Sequence, residues 1–200
     1  MEAIVWSDYL CPWCYAGLDR TARLEDMGVR VTVQPYELHP DIPAAGWPAR
    51  EGRGRRLYER IAAECEQAGM PFKRPERIPN SRRALATSEW VRRNAPASHR
   101  ALHHSIFEAL FVDGRAIDDA DVLDELVSAA GADAAACRAA VEAGEMDAVL
   151  AASREAAIDA GATGAPSWLI DDRALVPGLQ TPEFYERVVT RLRDRPRPPS

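Results

Sequence analysis

Ala3-Ile4-Val5-Trp6-Ser7-Asp8-Tyr9-Leu10-Cys11-Pro12-Trp13-Cys14 is the stretch on which the fold turns. An apolar run of strand length passes through a polar turn and meets two cysteines three positions apart. Pro12 carries the fixed φ that a first helical turn wants, and its missing N–H costs nothing there. Leu18, Ala22 and Leu24 continue at helical spacing as far as Met27-Gly28, where Gly28 is a natural stop. Residues 29–34 then alternate apolar and polar side chains with β-branching, the pattern of a second strand. The opening is therefore strand–helix–strand, with both thiols where the first strand gives way to the helix.

That position suits reversible disulfide chemistry. On an ideal helix, residues at i and i+3 have Cα atoms roughly 5 Å apart, inside the ~4.4–6.8 Å that a disulfide accepts. Cys11 lies before the first turn, where unpaired N–H groups and the helix dipole favour a negative sulfur. Such sites bring a thiol from about 8.5 down to the range ~3.5–7.5. Cys14 is one turn further in, expected to be the less exposed thiol and to resolve a mixed disulfide. Trp13 adds an apolar platform for a partner and no charge. A zinc site uses the same CxxC spacing but needs two more ligands. The chain offers no second such pair, Cys65 and Cys137 stand alone among apolar neighbours, and the adjacent His103 and His104 face different ways. No metal is expected, and Cys65 and Cys137 read as core thiols.

Composition narrows the field. The 200 residues hold 46% hydrophobic and 28% charged side chains, a globular balance. Thirty-one acids against 25 bases give a net charge of −6, which argues against a nucleic-acid binder despite the local arginines of 50–60. No apolar run approaches the ~20 residues that span a bilayer. Residues 3–6 read as a strand and not as the apolar core of a leader, so the expected compartment is the cytoplasm. Four cysteines are too few for a disulfide scaffold and, in a reducing compartment, point to catalysis or to free thiols.

Between the opening unit and the C-terminal part, organisation changes. Residues 39–48, with Pro40, Pro43, Gly46 and Pro48, read as a loop. No strand is expected from 52 to 161. Leu57, Ile61, Cys65 and Ala68 share one helical face, prolines 71, 75 and 79 break the pattern, and helices are expected at 82–93, 97–111, 118–130 and 132–160, the last interrupted at Gly144. Strand character returns at 167–170 and, after Asp171-Asp172, at 174–176. Thr181-Pro182 opens a closing helix, and 193–200 read as a disordered tail. The expected domains are a discontinuous unit, 1–50 and 155–192, around an all-helical insertion, 51–154. The fold class is α/β, βαβ…ββα.

At this point the chain resembles the DsbA-like thioredoxin-fold oxidoreductases, and within them the FrnE-like branch. The resemblance is carried by Ser7-Asp8-Tyr9-Leu10-Cys11-Pro12-Trp13-Cys14-Tyr15, by Gly164-Ala165-Pro166 and by Val176-Pro177-Gly178-Leu179-Gln180-Thr181. Pro79-Asn80-Ser81 and Phe111-Val112-Asp113-Gly114-Arg115 also look like family segments, and the likeness spans about residues 2–192. It implies a thioredoxin fold, a cis Pro166 beside Cys11, an Ala165 backbone aimed at an extended partner, and Asn80 lining a substrate groove.

The expected function is thiol–disulfide exchange, with Cys11 as nucleophile and Cys14 as resolving thiol. Pro12, Trp13, Ala165, Pro166 and Asn80 are the expected substrate-binding residues. The expected partners are proteins or small molecules bearing thiols or disulfides. No cofactor is expected beyond glutathione as a candidate redox partner; neither nucleic acid nor membrane is expected, and the chain would be a monomer or homodimer. Two alternatives come from other classes: a glutathione-dependent transferase or isomerase of the kappa type, which has a similar Pro-Asn-Ser/Thr segment, and a non-catalytic chaperone-like or zinc-binding module. Asp8 reads foremost as a turn or cap and secondarily as a proton partner for Cys14. His39 reads as a solvated loop residue, Asn80 also as an N-cap, and Trp47, Trp90 and Trp168 as packing.

Overall fold

Alternation in the first strand decides how the molecule packs. In the computed structural model, which describes residues 1–48 and 54–195, β1 (Glu2–Ser7) sends Ala3 and Val5 to one face and Ile4 and Trp6 to the other. Then come α1 (Pro12–Asp26), β2 (Arg30–Pro35), the two-residue β3 (Trp47–Pro48), α2 (Arg55–Gln67) and the two-residue β4 (Arg77–Ile78). Helices α3 (Arg82–Asn94), α4 (Pro96–Phe111), α5 (Ala120–Ala129), α6 (Ala134–Glu142) and α7 (Asp147–Asp159) follow. The chain closes with β5 (Ser167–Ile170), β6 (Ala174–Pro177) and α8 (Pro182–Asp194).

The main sheet has the order β2-β1-β5-β6, with β2 parallel to β1 and the other two pairs antiparallel. This is the βαβ…ββα thioredoxin arrangement with a helical insertion between its halves. Ala3, Val5, Trp168, Ile170 and Val176 pack under α1 and α8 through Leu24, Tyr185 and Val189. Trp6 and Tyr36 meet Ala157 and Ala162, so α7 and the turn after it cover the opposite face. Trp168 is fully buried, with Tyr185 edge-on to it. Gly17 lets α1 come down on that ring, since a Cβ there would lie 3.1 Å from it. Gly28, at φ +74°, ends α1 in the left-handed conformation that glycine adopts without a Cβ penalty.

The largest core joins the tip of α1 to the insertion. Tyr9, Cys11, Cys14 and Tyr15 pack with Ile61, Cys65, Leu85, Leu102, Phe107, Phe111, Leu123 and Cys137. Cys65 and Cys137 are thus core thiols. In the same core Tyr15, Phe72, Phe107 and Phe111 form one aromatic cluster.

Several expectations need correction. The region expected to lack strands contains β4, which pairs antiparallel with β3 in the segment expected to be loop. Two residues on each side, one of them Pro48, are too short to carry a period. Trp47, expected to pack, is exposed in that ribbon. The helix expected from 118 begins at Ala120, because Asp119 caps it by accepting from the Asp121 N–H. Ser81, and not Asn80, is the N-cap residue of α3, although Asn80 Oδ1 accepts from the Arg82 N–H. Residues 193–194 belong to α8, where Arg193 reaches the Met27 carbonyl; 196–200, the rest of the expected tail, lie outside the described residues, as do Arg50 and Arg53 of the basic run. Among the described residues no helix is long and apolar enough to cross a membrane.

Candidate active site at the tip of helix α1

Cys11 is the N-cap residue of α1, in extended conformation at φ −86°, ψ 111°, with Pro12 in the first helical turn behind it. Both cysteines are reduced. Cys11 is 5% exposed and Cys14 3%, so both sulfurs are nearly enclosed. The two side chains are hydrogen bonded to one another. Cys11 Sγ also donates to the Ala165 carbonyl at 3.4 Å, across 154 positions of chain. The Ala165–Pro166 peptide is cis, and β5 begins at the next residue. Strand β5 pairs with β1, which holds the Ala165 turn against the thiols.

Cys14 sits over the end of β1. Its Sγ accepts from the Asp8 N–H at 3.5 Å and from the Ser7 hydroxyl. Burial pushes the thiol well above its ordinary pKa, the hydrogen bond and charge of Cys11 add to the rise, and the Asp8 N–H and Ser7 hydroxyl oppose it. The pair is therefore asymmetric: Cys14 holds its proton until something takes it.

Asp8, whose N–H makes that contact, also carries a perturbed carboxyl. It has no exposed surface, and its carboxylate accepts from Leu10 N–H at 3.2 Å and Leu38 N–H at 2.7 Å, with a further hydrogen bond to the Ser81 side chain. Burial raises its pKa to about 6 against the pull of those hydrogen bonds, and neighbouring Glu37 raises it further. The turn reading of Asp8 holds through Leu10.

The remaining expected residues divide. Trp13 is half-buried, and the Arg60 guanidinium covers its ring at 5.5 Å. Pro12 and Ala165 are half-buried at the mouth. Asn80 donates from Nδ2 to the Ile42 carbonyl and accepts from Arg82 N–H at the start of α3, so these contacts fasten the loop after β2 and neither reaches the thiols. His39 is exposed. Among the described residues no group of three or more His, Cys, Asp or Glu side chains is arranged to hold a metal ion.

Sequence reasoning missed a second polar layer. The Tyr9 hydroxyl lies 2.6 Å from Ser88 Oγ and 2.8 Å from His103 Nδ1, and Ser88 Oγ lies 3.1 Å from His99 Nε2. Burial lowers His103 well below the usual imidazole value and His99 to about 4, so both rings are neutral at pH 7. This network anchors the residue two before Cys11 to α3 and α4. Tyr58, also unforeseen, packs near Cys11, and its phenol is raised by burial, lowered by Arg74 and raised by charge on Cys11.

With this geometry in place, comparison with known proteins is informative. The model of the DSBA-like thioredoxin domain matches residues 3–190. A probable DsbA oxidoreductase from Streptomyces coelicolor superposes with a TM-score of 0.90 at 23% identity, over 100% of this chain and 93% of its own. A 2-hydroxychromene-2-carboxylate isomerase gives 0.80 at 21%, over 98% and 97%. The cytosolic disulfide reductase DsbM from Pseudomonas aeruginosa, solved with GSH, gives 0.74 at 23%, over 96% and 100%. At such identities the superpositions speak for the fold.

Proposed function

The chain belongs to the DSBA-like thioredoxin domain family, and from that premise we propose that it is a thiol–disulfide oxidoreductase with Cys11 as nucleophile and Cys14 as resolving thiol. One observation carries the reading: two reduced thiols share the tip of α1, Cys11 donating to the Ala165 carbonyl and Cys14 accepting from the N–H of buried Asp8.

The Cys11 thiolate attacks one sulfur of a substrate disulfide; the S–S bond breaks, and the first thiolate leaves and takes up a proton. Cys14 then gives its proton to Asp8 and attacks Cys11 Sγ, forming the Cys11–Cys14 disulfide and expelling the second thiolate. The protein loses two electrons and the substrate gains two. A thiol reductant returns the pair to its starting state. Asp8, at about 6, is ionised at neutral pH and is matched to receive this proton. Pro12, Trp13, Ala165 and Pro166 border the substrate's approach, and Asn80 contributes by holding the loop that supplies Leu38 N–H to Asp8. The proposed setting is the cytoplasm, with protein disulfides or glutathione as partners and the reductive or isomerising direction favoured by a glutathione-buffered compartment.

The test is redox equilibration of the full chain across glutathione ratios, followed by alkylation and mass spectrometry. Cys11 and Cys14 are expected to close together as a two-electron pair. If only mixed glutathione adducts form on Cys11, the exchange reading falls and a glutathione-dependent small-molecule enzyme replaces it.

A further inference from the structure

Resting on that reading of the site, we propose that the proton Cys14 exchanges with solvent in each turnover travels through Ser7, Tyr9, Ser88 and His99 to the groove between α1, β2 and α4.

Turnover needs such a route. A thiolate of the reductant that restores the pair attacks Cys11 Sγ, and the Cys11–Cys14 bond breaks. Cys14 leaves with the bonding electrons and takes up a proton, since burial holds it as a thiol well above its ordinary value. A second thiolate then displaces Cys11, so the reductant loses two electrons and the pair gains two. Cys14 is 3% exposed and Asp8 has no exposed surface, so bulk water does not hand over the proton directly. Asp8, at about 6, is ionised at neutral pH and does not store the proton it received when the disulfide closed.

The polar layer behind the thiols provides the links. The Ser7 hydroxyl is hydrogen bonded to the Cys14 sulfur. Ser7 also lines, with Tyr9, Ser88, His99 and His103, a cavity of about 10 Å³. That is room for about one water molecule, and the three hydroxyl-bearing residues are the polar partners such a water needs. Beyond the cavity the contacts are direct. The Tyr9 hydroxyl donates to Ser88 Oγ at 2.6 Å, and Ser88 Oγ lies 3.1 Å from His99 Nε2. His99 borders both this cavity and the groove, a space of about 500 Å³ whose walls include Leu18 of α1 and Val31 of β2. Arg30, Pro96 and Arg100 also border the groove and are exposed, so it opens to solvent. His103 Nδ1, 2.8 Å from the Tyr9 hydroxyl, gives a second branch to the same groove. Both branches pass through Tyr9.

Every member can pass a proton on. A hydroxyl donates and accepts, and a neutral imidazole accepts on one nitrogen while donating from the other. Both rings are neutral at pH 7: burial lowers His99 to about 4, with Arg92 adding to the fall and Glu89 opposing it, and burial lowers His103 well below its ordinary value. The proton that Ser7 gives to Cys14 is replaced from the cavity water, then from Tyr9 and Ser88, and finally by His99 from the groove. Packing alone would be served by apolar side chains at this depth, because burying hydroxyls and imidazoles carries a desolvation cost.

The test uses the oxidised full chain, reopened by dithiothreitol at pH 8, quenched with acid and alkylated so that the rate is read at Cys11 and Cys14. Tyr9→Phe keeps the ring, removes the hydroxyl and should slow reopening by about 10-fold or more. It should leave the balance of open and closed pair, titrated against glutathione, within about twofold. A relay changes rates and not end states, whereas sulfurs displaced by a structural fault would move that balance too. Ser7→Ala should also slow reopening, and it carries the test if Tyr9→Phe does not fold. The double variant should be no slower than the slower single one, as members in series require. An unaltered rate in either single variant, a shifted balance in Tyr9→Phe, or effects that multiply in the double variant overturn the proposal. If the pair never closes in the unaltered protein, or dithiothreitol does not reopen it, the exchange reading itself fails, which is distinct from variants that reopen at the unaltered rate.

Discussion

All four cysteines are buried, yet the two at the tip of α1 and the two in the helical insertion live in different chemistry. Cys65 and Cys137, at 0% and 1% exposure, are no more hidden in kind than Cys14 at 3%. Cys65 lies among apolar side chains, and Cys137 has the Thr87 carbonyl as an acceptor. Burial therefore raises them to about 11 and about 12, and both remain thiols at any physiological pH. Around Cys14, by contrast, the Asp8 N–H and Ser7 hydroxyl point at the sulfur, and the carboxyl of that same Asp8 is raised by burial to about 6. Exposure does not separate the two pairs of thiols here; the donors around the sulfur do.

The largest effect expected from this contrast comes from deleting sulfurs. Cys11→Ser should lower disulfide reduction by about 10³-fold or more, as loss of a nucleophile does. Replacing both Cys65 and Cys137 by Ala should leave the rate within about twofold, since neither is placed in the exchange machinery. Stopped-flow oxidation of each variant decides it. A rate that follows the insertion cysteines would erase the distinction between the two pairs.

Asp8→Asn comes next. Resolution of a preformed mixed disulfide on Cys11 should slow by about 10²-fold, and the inflexion near pH 6 in its pH–rate profile should vanish. Stability supplies an independent readout. The folded carboxyl is raised to about 6 from an ordinary 3.8, so its contribution to stability is complete below the ordinary value and is lost as pH rises through about 6. The shift corresponds to roughly 3 kcal/mol. Urea melts between pH 4 and pH 8 should show this loss in the unaltered protein and a flatter profile in Asp8→Asn. An unchanged pH–rate profile would remove Asp8 from the mechanism and leave it a turn residue.

The smallest effect sharpens the contrast within the insertion itself. Cys137→Ser keeps a donor for the Thr87 carbonyl, whereas Cys65→Ser buries a hydroxyl where none of the described residues is recorded as accepting from the thiol. Cys65→Ser should cost about 1–3 kcal/mol of unfolding free energy and Cys137→Ser less. Chemical denaturation of the two variants gives the order, and the reverse order would mean that the Thr87 contact contributes little.

Local signals carried much of this architecture. Proline and the CxxC spacing marked the start of α1, Gly28 its end, and alternation located β1, β2 and β5 to within a residue or two. What escaped depends on residues distant in the chain. The β3–β4 ribbon joins two dipeptides 30 positions apart. Asp8 is legible as a turn residue, but its raised pKa comes from burial in the folded chain, which the hydrogen bonds from Leu38 N–H and the Ser81 side chain oppose. Tyr9 looks like a core aromatic until Ser88 and His103 arrive at its hydroxyl. A helix start can be read from neighbours; a charge balance around a sulfur cannot.

The antiparallel pairing of β1 with β5 has a consequence for biosynthesis. The thiols are made early, while the carbonyl that accepts from Cys11 and the strand that holds it follow more than 150 residues later. At the usual ~5–20 residues per second, a nascent chain carries an unroofed CxxC pair for roughly 10–30 s. During that interval neither Ala165 nor β5 shields the sulfurs from passing oxidants or other nascent thiols. The ribosome-bound chain is thus a different redox species from the finished protein, and the reducing capacity around it, more than its own fold, decides whether the pair arrives intact.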